Sequence, residues 1–120
     1  IPILFQTALK RREKVYVFGD DYATPDGTAI RDYTHVSDLA RAHILVLEAM
    51  GKGLAHQAYN LGIGKGYSVL EVLKAAEKVS GKTIPYEIQE RRAGDPPVLV
   101  ADNERFTETF GWRPRFEDLD

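Results

Sequence analysis

The sequence predicts a small mixed α/β domain, because two hydrophobic patterns alternate along its 120 residues. Short runs that alternate polar and apolar residues, of which KVYVFG at 14–19 is the clearest, are typical of strands. Longer runs with apolar residues three and four positions apart are typical of amphipathic helices. The strands are short and the helices dominate, which favours one small α/β domain over 1–120 rather than a large doubly wound sheet.

Four amphipathic helices are predicted from the spacing of their apolar residues. Their expected ranges are 1–11, 36–50, 69–80 and 103–111. Ser68 and Glu71 form an S-x-x-E capping box at the start of the third helix. Gly51 and Gly53 are expected to end the second helix, and Gly81 the third. The other expected caps are Ser37 or Asp38 for the second helix and Asp102 or Asn103 for the last.

Short strands are predicted between these helices. The candidate strands are KVYVFG, QAYNLG at 57–62 and IPYEIQE at 84–90, with shorter extended pieces RDYTHV at 31–36 and VLVAD at 98–102. The segment DDYATPDGTAI at 20–30 contains Pro25-Asp26-Gly27, a sequence typical of a turn. We therefore expect this segment to be an exposed loop.

Composition and charge narrow the classes of partner. Sixteen basic and eighteen acidic residues give a formal net charge of -2, which favours neither nucleic acid nor an anionic membrane as a partner. Cysteine is absent, which excludes disulfides and thiolate catalysis and is compatible with a cytoplasmic location. The sequence has no signal-peptide pattern and no apolar run near the roughly 20 residues that span a bilayer. Recognition of an anion would therefore have to be local.

The glycine-rich stretch NLGIGKGYSVLEV at 60–72 resembles a phosphate-binding loop only at first sight. A dinucleotide fingerprint, G-x-G-x-x-G, would need a glycine at position 67, which is Tyr67. A Walker loop would need glycine and then lysine, whereas Lys65 precedes Gly66. We expect Gly62, Gly64 and Gly66 to shape a tight turn into a helix rather than to bind pyrophosphate.

Motifs that carry catalytic chemistry are absent from the sequence. The histidines His35, His43 and His56 are scattered, and we expect His43 to be a hydrogen-bonded histidine at the edge of the core. No tyrosine is followed by a lysine four positions later, and no carboxylates have metal-ligand spacing. The sequence therefore predicts no catalytic, cofactor-binding or metal-binding residue within these 120 positions.

Two arginine-centred segments are the better candidates for a binding site. Arg31 follows a loop, and Arg92 lies in RRAGDPP at 91–97, where guanidinium groups are well shaped to hold a diphosphate. Asp95 follows the flexible Gly94 and has the chemistry to accept hydrogen bonds from a ribose diol. Surface ion pairs are the alternative for each of these charges. Three nearby aromatic residues have the alternatives of packing on a base or in the core: Tyr16, Phe18 and Tyr33.

Four stretches of the sequence resemble a known family. They are VFGDDYATPDGTAIRDYTHVSDLARAH, YNLGIGKGYSVLEV, RRAGDPPVLVAD and FGWRPRF. Together they are similar to the C-terminal half of the UDP-glucose 4-epimerases, which are extended short-chain dehydrogenases/reductases. The resemblance covers essentially the whole chain, and DYATPDGT is the part most specific to the 4-epimerases.

The resemblance implies residues that surround the nucleoside and the sugar. By position, Tyr16, Val17 and Phe18 match the segment that lines the uridine. Val69 matches an apolar neighbour of the uracil, and Leu99 matches a position whose bulk affects the room for an N-acetyl group on the sugar.

The resemblance also implies residues that hold the phosphates and the ribose. Arg31, with Tyr33, matches an R-D-Y element that reaches the phosphates. Arg92 matches a second phosphate-binding arginine, and Asp95 matches the residue that holds the ribose hydroxyls.

The family divides its work between two domains. By resemblance, an N-terminal Rossmann domain, absent from this chain, binds NAD and supplies the tyrosine base. The small mixed α/β C-terminal domain, here 1–120, closes over UDP-glucose or UDP-galactose, which the enzyme interconverts through a 4-keto intermediate in galactose metabolism. The full-length enzyme is expected to be a homodimer, and this chain alone is expected to be inactive.

Two alternatives stay open at this point. One is another extended-family epimerase or dehydratase, acting on a UDP-pentose or UDP-uronate. The other is a non-catalytic nucleotide-binding module. The helical pattern already present at Ile1, with no initiator methionine, leads us to expect a piece of a longer protein rather than a module of its own.

Overall fold

The computed structural model describes residues 1–55 and 57–119, and His56 lies outside the described residues. The chain forms two compact units. The first unit contains 1–31 and 67–99, with Leu119. The second unit contains 32–66, apart from position 56, and 100–118.

The elements alternate between strands and helices, as the mixed α/β class predicts. In chain order they are α1 (Pro2–Ala8), β1 (Val15–Phe18), β2 (Ile30–Arg31), α2 (Val36–Gly51), β3 (Tyr67–Ser68), α3 (Val69–Ser80), β4 (Tyr86–Gln89), β5 (Val98–Leu99) and α4 (Glu104–Phe110). No helix in the described part of the chain is both long and apolar enough to cross a membrane.

The first unit holds all of these strands, in two small sheets. β1 pairs in parallel with β4, so that Val17 lies opposite Ile88. β2 is the central strand of the other sheet, antiparallel to β3 and parallel to β5. In that sheet Arg31 lies between Tyr67 and Leu99, so three segments that are distant in the sequence meet at Arg31.

Helix α3 supplies much of the core of the first unit, because its apolar residues fall on one face. Its buried residues are Val72, Leu73 and Ala76. The predicted capping box is confirmed: the Ser68 hydroxyl accepts from the N–H of Glu71 at 3.0 Å, and the Glu71 carboxylate accepts from the N–H of Ser68. The predicted end is also confirmed, since Gly81 adopts a left-handed φ of 63°.

The prediction that 20–30 forms an exposed loop is wrong for part of that segment. Tyr22, Thr28 and Ala29 are buried. The Asp26 carboxylate accepts from the N–H and the hydroxyl of Thr28 at 2.9 and 2.8 Å, and also from the hydroxyl of Ser68. These contacts fasten the loop to the start of α3.

Hydrogen bonding controls the charge of Asp26. Burial alone would raise its pKa, but the hydrogen bonds from Ser68 and Thr28 and the charge of Lys74 outweigh burial and lower it. Asp26 is therefore held in the form that accepts hydrogen bonds.

The second unit is built on α2 and α4. Ala42, Phe106 and Trp112 form its buried centre. The flanking, partly buried side chains are Leu45, Val46, Tyr59, Leu61 and Phe110. The rings of Phe106 and Trp112 meet edge to face at 5.6 Å, a favourable aromatic arrangement.

The predicted N-cap of α2 is wrong. The N-cap is His35, whose Nδ1 accepts from the N–H of Ser37 at 3.2 Å, so neither Ser37 nor Asp38 serves as the cap. Asp38 is instead fully buried, where it pairs with Arg41 at 2.9 Å and accepts from the N–H groups of Arg115 and Phe116. The carboxylate therefore ties the first turn of α2 to the C-terminal segment.

Four further expectations need correction. Helix α1 ends at Ala8 rather than near Arg11, because Lys10 turns to a φ of 58°. QAYNLG forms no strand, since Tyr59 and Leu61 pack on the helical core and the backbone of 57–62 has no ladder partner. The apolar face of α2 is largely exposed, with Leu47 at 66%. His43 is exposed, although its predicted hydrogen bond is present, with Nδ1 2.8 Å from the Leu39 carbonyl.

Candidate functional site

Arg31 is the central residue of the candidate site, and it is placed by the middle strand β2. Its Nη1 donates to the carbonyl of Ile30 at 2.8 Å, which folds the side chain back along the strand. Its Nη2 lies 3.4 Å from Oδ1 of Asp95 in an ion pair but is buried with no hydrogen-bond partner among the described residues. A buried guanidinium N–H without an acceptor costs free energy, and an oxygen of a ligand would satisfy it.

Arg92 is held by the same carboxylate. Its Nε and Nη2 lie 2.9 and 2.7 Å from Oδ2 of Asp95, a forked arrangement. The guanidinium also lies 5.0 Å from the ring centroid of Phe18, within cation–π range. Asp95 therefore bridges the two arginines that the sequence selected, and Phe18 supports one of them.

The turn at 92–95 explains why these side chains meet. The N–H of Asp95 donates to the carbonyl of Arg92 at 3.2 Å, and Gly94 has a φ of 81° that disfavours other residues. The short turn therefore directs Asp95 back toward Arg92.

Strand β1 presents its two faces differently. Tyr16 and Phe18 are partly exposed, at 43% and 38%, whereas Val17 is 1% exposed. Since neighbouring side chains of a strand point to opposite faces, the Val17 side chain lies in the core, and only its backbone is available to a ligand.

The remaining candidate residues differ in their distance from Arg31. Leu99 pairs with Arg31 across β2 and β5 and is 59% exposed. Val69 is the first residue of α3, and its N–H donates to the carbonyl of Ala29 at 3.1 Å, two residues before Arg31. Tyr33 belongs to the second unit, where it is partly buried. The first unit thus contains every predicted site residue except Tyr33, and direct contacts join Arg31, Arg92 and Asp95.

The glycine-rich stretch is filled by a side chain that the sequence analysis missed. Asp32 accepts from the N–H groups of Ile63 and Gly64 at 3.0 and 3.1 Å, and more weakly from Ala101 at 3.3 Å. A Cβ at Gly62 would lie 2.3 Å from Oδ2 of Asp32. Asn103 donates to the Gly62 carbonyl at 2.6 Å. The backbone donors that would face a phosphate therefore face an internal carboxylate, and this segment does not fit a dinucleotide.

Arg91 is a second residue for which the sequence predicted no role. It pairs with Asp21 and lies 4.2 Å from the ring centroid of Tyr22. The hydrogen bond and charge of Arg91 lower the pKa of Asp21. These contacts fix the start of the loop 20–29 rather than add a group to the site. No group of three or more histidines or carboxylates within 1–55 and 57–119 is placed to hold a metal ion.

Comparison with known proteins gives the class. Residues 1–62 match the NAD dependent epimerase/dehydratase family, and the chain belongs to that family.

Curated relatives are more specific. The chain is 49% identical over 120 residues to a UDP-glucose 4-epimerase of Streptococcus mutans, covering all of this chain and 36% of that protein. It is 50% identical over 119 residues to a UDP-glucose 4-epimerase of Corynebacterium glutamicum, covering 99% of this chain and 36% of that protein. The chain thus spans about a third of the length of the curated relatives it matches.

Solved structures agree with the relatives. A UDP-glucose 4-epimerase from Brucella ovis in complex with NAD matches with a TM-score of 0.92 and 44% identity, over 99% of this chain and 37% of that one. A UDP-glucose 4-epimerase from Bifidobacterium longum in complex with NAD+ and UDP matches with a TM-score of 0.88 and 43% identity, over 99% of this chain and 35% of that one. The described fold is therefore the fold of a part of these enzymes.

Proposed function

We propose that this chain is the C-terminal, UDP-sugar-binding part of an NAD-dependent UDP-glucose 4-epimerase that interconverts UDP-glucose and UDP-galactose through a 4-keto intermediate. The observation that carries the proposal is the arginine pair of the first unit. One carboxylate, Asp95, holds both Arg31 and Arg92, and Arg31 keeps a buried donor without an acceptor. A diphosphate offers oxygens to both arginines and to that donor.

The surroundings of the arginine pair suit the rest of a UDP-sugar. Tyr16 and Phe18 offer partly exposed rings that suit the uracil, and Val69 adds an apolar contact. Leu99, beside Arg31 in the sheet, is exposed and apolar, in a position to contact the sugar. Asp95 has oxygens for the ribose hydroxyls.

The division between charged and apolar groups fits the proposed reaction. An epimerase must let the 4-keto sugar turn over between the two faces of a hydride carrier, so tight contacts to the hexose would slow the step. Binding energy concentrated on the nucleotide avoids this cost. Arg31, Arg92 and Asp95 place the charges of the site where they hold the diphosphate and ribose.

NAD and the catalytic groups belong, in this proposal, to the portion of the enzyme that this chain does not contain. NAD supplies the hydride acceptor there, while the residues of this chain bind and orient the UDP-sugar. The occupied glycine segment at 62–66 supports this assignment. A homodimeric full-length enzyme in the cytoplasm completes the proposal.

Substitution of the arginines tests the phosphate assignment. In the full-length enzyme, Arg31→Ala or Arg92→Ala should weaken UDP binding by about 1.5–3 kcal/mol, because each removes charge-assisted hydrogen bonds. Isothermal titration with UDP measures the loss, and Arg113→Ala, an exposed arginine of the second unit, is the matched control. Unchanged UDP affinity in both site variants would remove the phosphate assignment.

A further inference from the structure

A second cluster of positive charge lies in the first unit, away from Arg31 and Arg92. A cavity of about 660 Å³ lies between the turn after α1 and the connection from α3 to β4. Four of its lining side chains are exposed cations: Lys10, Arg11, Arg12 and Lys82. Glu13 is the single acidic lining residue. Because the whole chain carries a net charge of -2, this positive charge is a local concentration.

The four cations of this cavity all lack acidic partners in the described part of the chain. Neither an ion pair nor a side-chain hydrogen bond within 1–55 and 57–119 engages Lys10, Arg11, Arg12 or Lys82. Six other cations pair with carboxylates, as Lys14–Glu87, Arg31–Asp95, Arg41–Asp38, Lys65–Asp118, Arg91–Asp21 and Arg92–Asp95, and exposed cations such as Lys52 and Arg113 are not gathered at this cavity. Four unpaired cations around one cavity repel each other, which favours binding of an anion.

The backbone of Lys10 gives independent support. Helices α3 and α4 end in glycines with φ of 63° and 61°, and after α1 the left-handed residue is Lys10, with a φ of 58°, which follows the C-cap Leu9. The N–H of Lys10 donates to Thr7 and that of Arg11 to Gln6, both at 2.9 Å, which closes the helix end. A lysine at this position is strained relative to glycine, so placing its charge at the cavity costs stability.

The number of cations at the cavity indicates the kind of anion that it can bind. The C-terminal end of α1 lies at this cavity and carries partial negative charge, so an anion is held there only by the four cations. Two adjacent arginines and two lysines match a ligand with several phosphates, whose oxygens accept forked hydrogen bonds from guanidinium groups. We propose that this cavity binds a small soluble ligand with two or more adjacent phosphate groups. This site shares no residue with the proposed UDP site and does not depend on it.

Amide chemical shifts of the ¹⁵N-labelled chain, titrated with inorganic tripolyphosphate at low ionic strength, test the site. The expected result is saturable shifts at Thr7, at 10–13 and at 82–83, with one dissociation constant. Orthophosphate is expected to bind about tenfold more weakly, since it meets fewer of the cations. Absence of saturable shifts at these amides, or equal affinity for orthophosphate, would overturn the proposal.

Charge-matched variants separate the site from the overall charge. Arg11→Gln with Arg12→Gln should weaken tripolyphosphate binding about tenfold, because charge-assisted contacts are lost. The control, Lys52→Gln with Arg113→Gln, removes the same charge from exposed positions of the second unit and should change the affinity by less than about twofold. Equal weakening in the two double variants would contradict a specific site.

Lys10→Gly gives two readouts of opposite sign. It should raise the thermal midpoint of unfolding, since glycine fits the left-handed φ, while it weakens tripolyphosphate binding. Unchanged binding would show that the lysine is not retained for a ligand. Sedimentation with vesicles that contain phosphatidylinositol bisphosphate should leave the chain in the supernatant, and its recovery in the pellet would overturn the assignment to a soluble ligand.

Discussion

The glycine-rich segment of the second unit and the arginine pair of the first unit differ in whether their N–H donors already have an acceptor. In the second unit, the sequence of the glycine-rich segment resembles an anion-binding loop. Its N–H groups at Ile63 and Gly64, however, already donate to the Asp32 carboxylate. In the first unit, no glycine motif marks the site, yet Arg31 keeps a buried donor without an acceptor. The glycine pattern therefore identifies a tight backbone, whereas the open donor of Arg31, beside the cation of Arg92, is where we propose that a ligand binds.

Removal of the internal carboxylate should produce the largest effect on this contrast. Asp32→Ala should lower the free energy of unfolding by about 3 kcal/mol, because several backbone N–H groups lose their acceptor. Asp32→Asn should cost less, since its amide oxygen still accepts. Urea unfolding measures both, with Glu48→Ala on the exposed side of α2 as the control. An Asp32→Ala variant as stable as the control would show that the carboxylate does not hold the segment.

The close approach of Asp32 also makes a glycine necessary at position 62. A Cβ there would lie 2.3 Å from Asp32 and 2.6 Å from Ala101, so Gly62→Ala should cost about 2 kcal/mol through overpacking. Gly51→Ala is the matched control, because a Cβ at Gly51 meets no atom within 4 Å. Equal stability of the two variants in urea would remove the steric reason for this glycine.

The loop of the first unit should respond to a smaller change. Ser68→Ala removes the cap of α3 and a hydrogen bond to Asp26, and should cost about 1 kcal/mol. Because the pKa of Asp26 is lowered in the folded chain, its contribution to stability is present above its usual pKa of about 3.9 and is lost as the pH falls through the folded value.

Without the Ser68 hydroxyl, the pKa of Asp26 should rise toward its usual value. The Ser68→Ala variant should therefore lose less stability on acidification than the unaltered chain does, as urea unfolding between neutral pH and about pH 3 would record. Parallel pH profiles for the two chains would contradict the link between Ser68 and Asp26.

Local signals carried most of the fold. The helices followed from apolar spacing, and α3 followed closely, because its cap and its terminal glycine act within the helix itself. The strand predicted for QAYNLG was wrong, because a strand also needs a pairing partner, which a local pattern does not contain. The end of α1 was missed because a lysine adopts the conformation expected of glycine.

The site was predictable in its parts but not in its contacts. Arginine chemistry selected Arg31 and Arg92, and Asp95 was a candidate because it follows the flexible Gly94 and its carboxylate can accept from a ribose diol. Their meeting depends on the pairing of β2 with β5, which joins segments nearly 70 positions apart. Asp32 was missed for the same reason, since its acceptor role depends on backbone more than 30 positions away.

Amide chemical shifts of the chain during titration with UDP test the contrast between the two units most directly. We expect saturable shifts at Phe18, Arg31, Arg92 and Asp95, with the amides of 62–66 unmoved. Saturable shifts confined to 62–66, with the arginine pair unmoved, would contradict the proposed site and would place UDP at the glycine-rich segment instead.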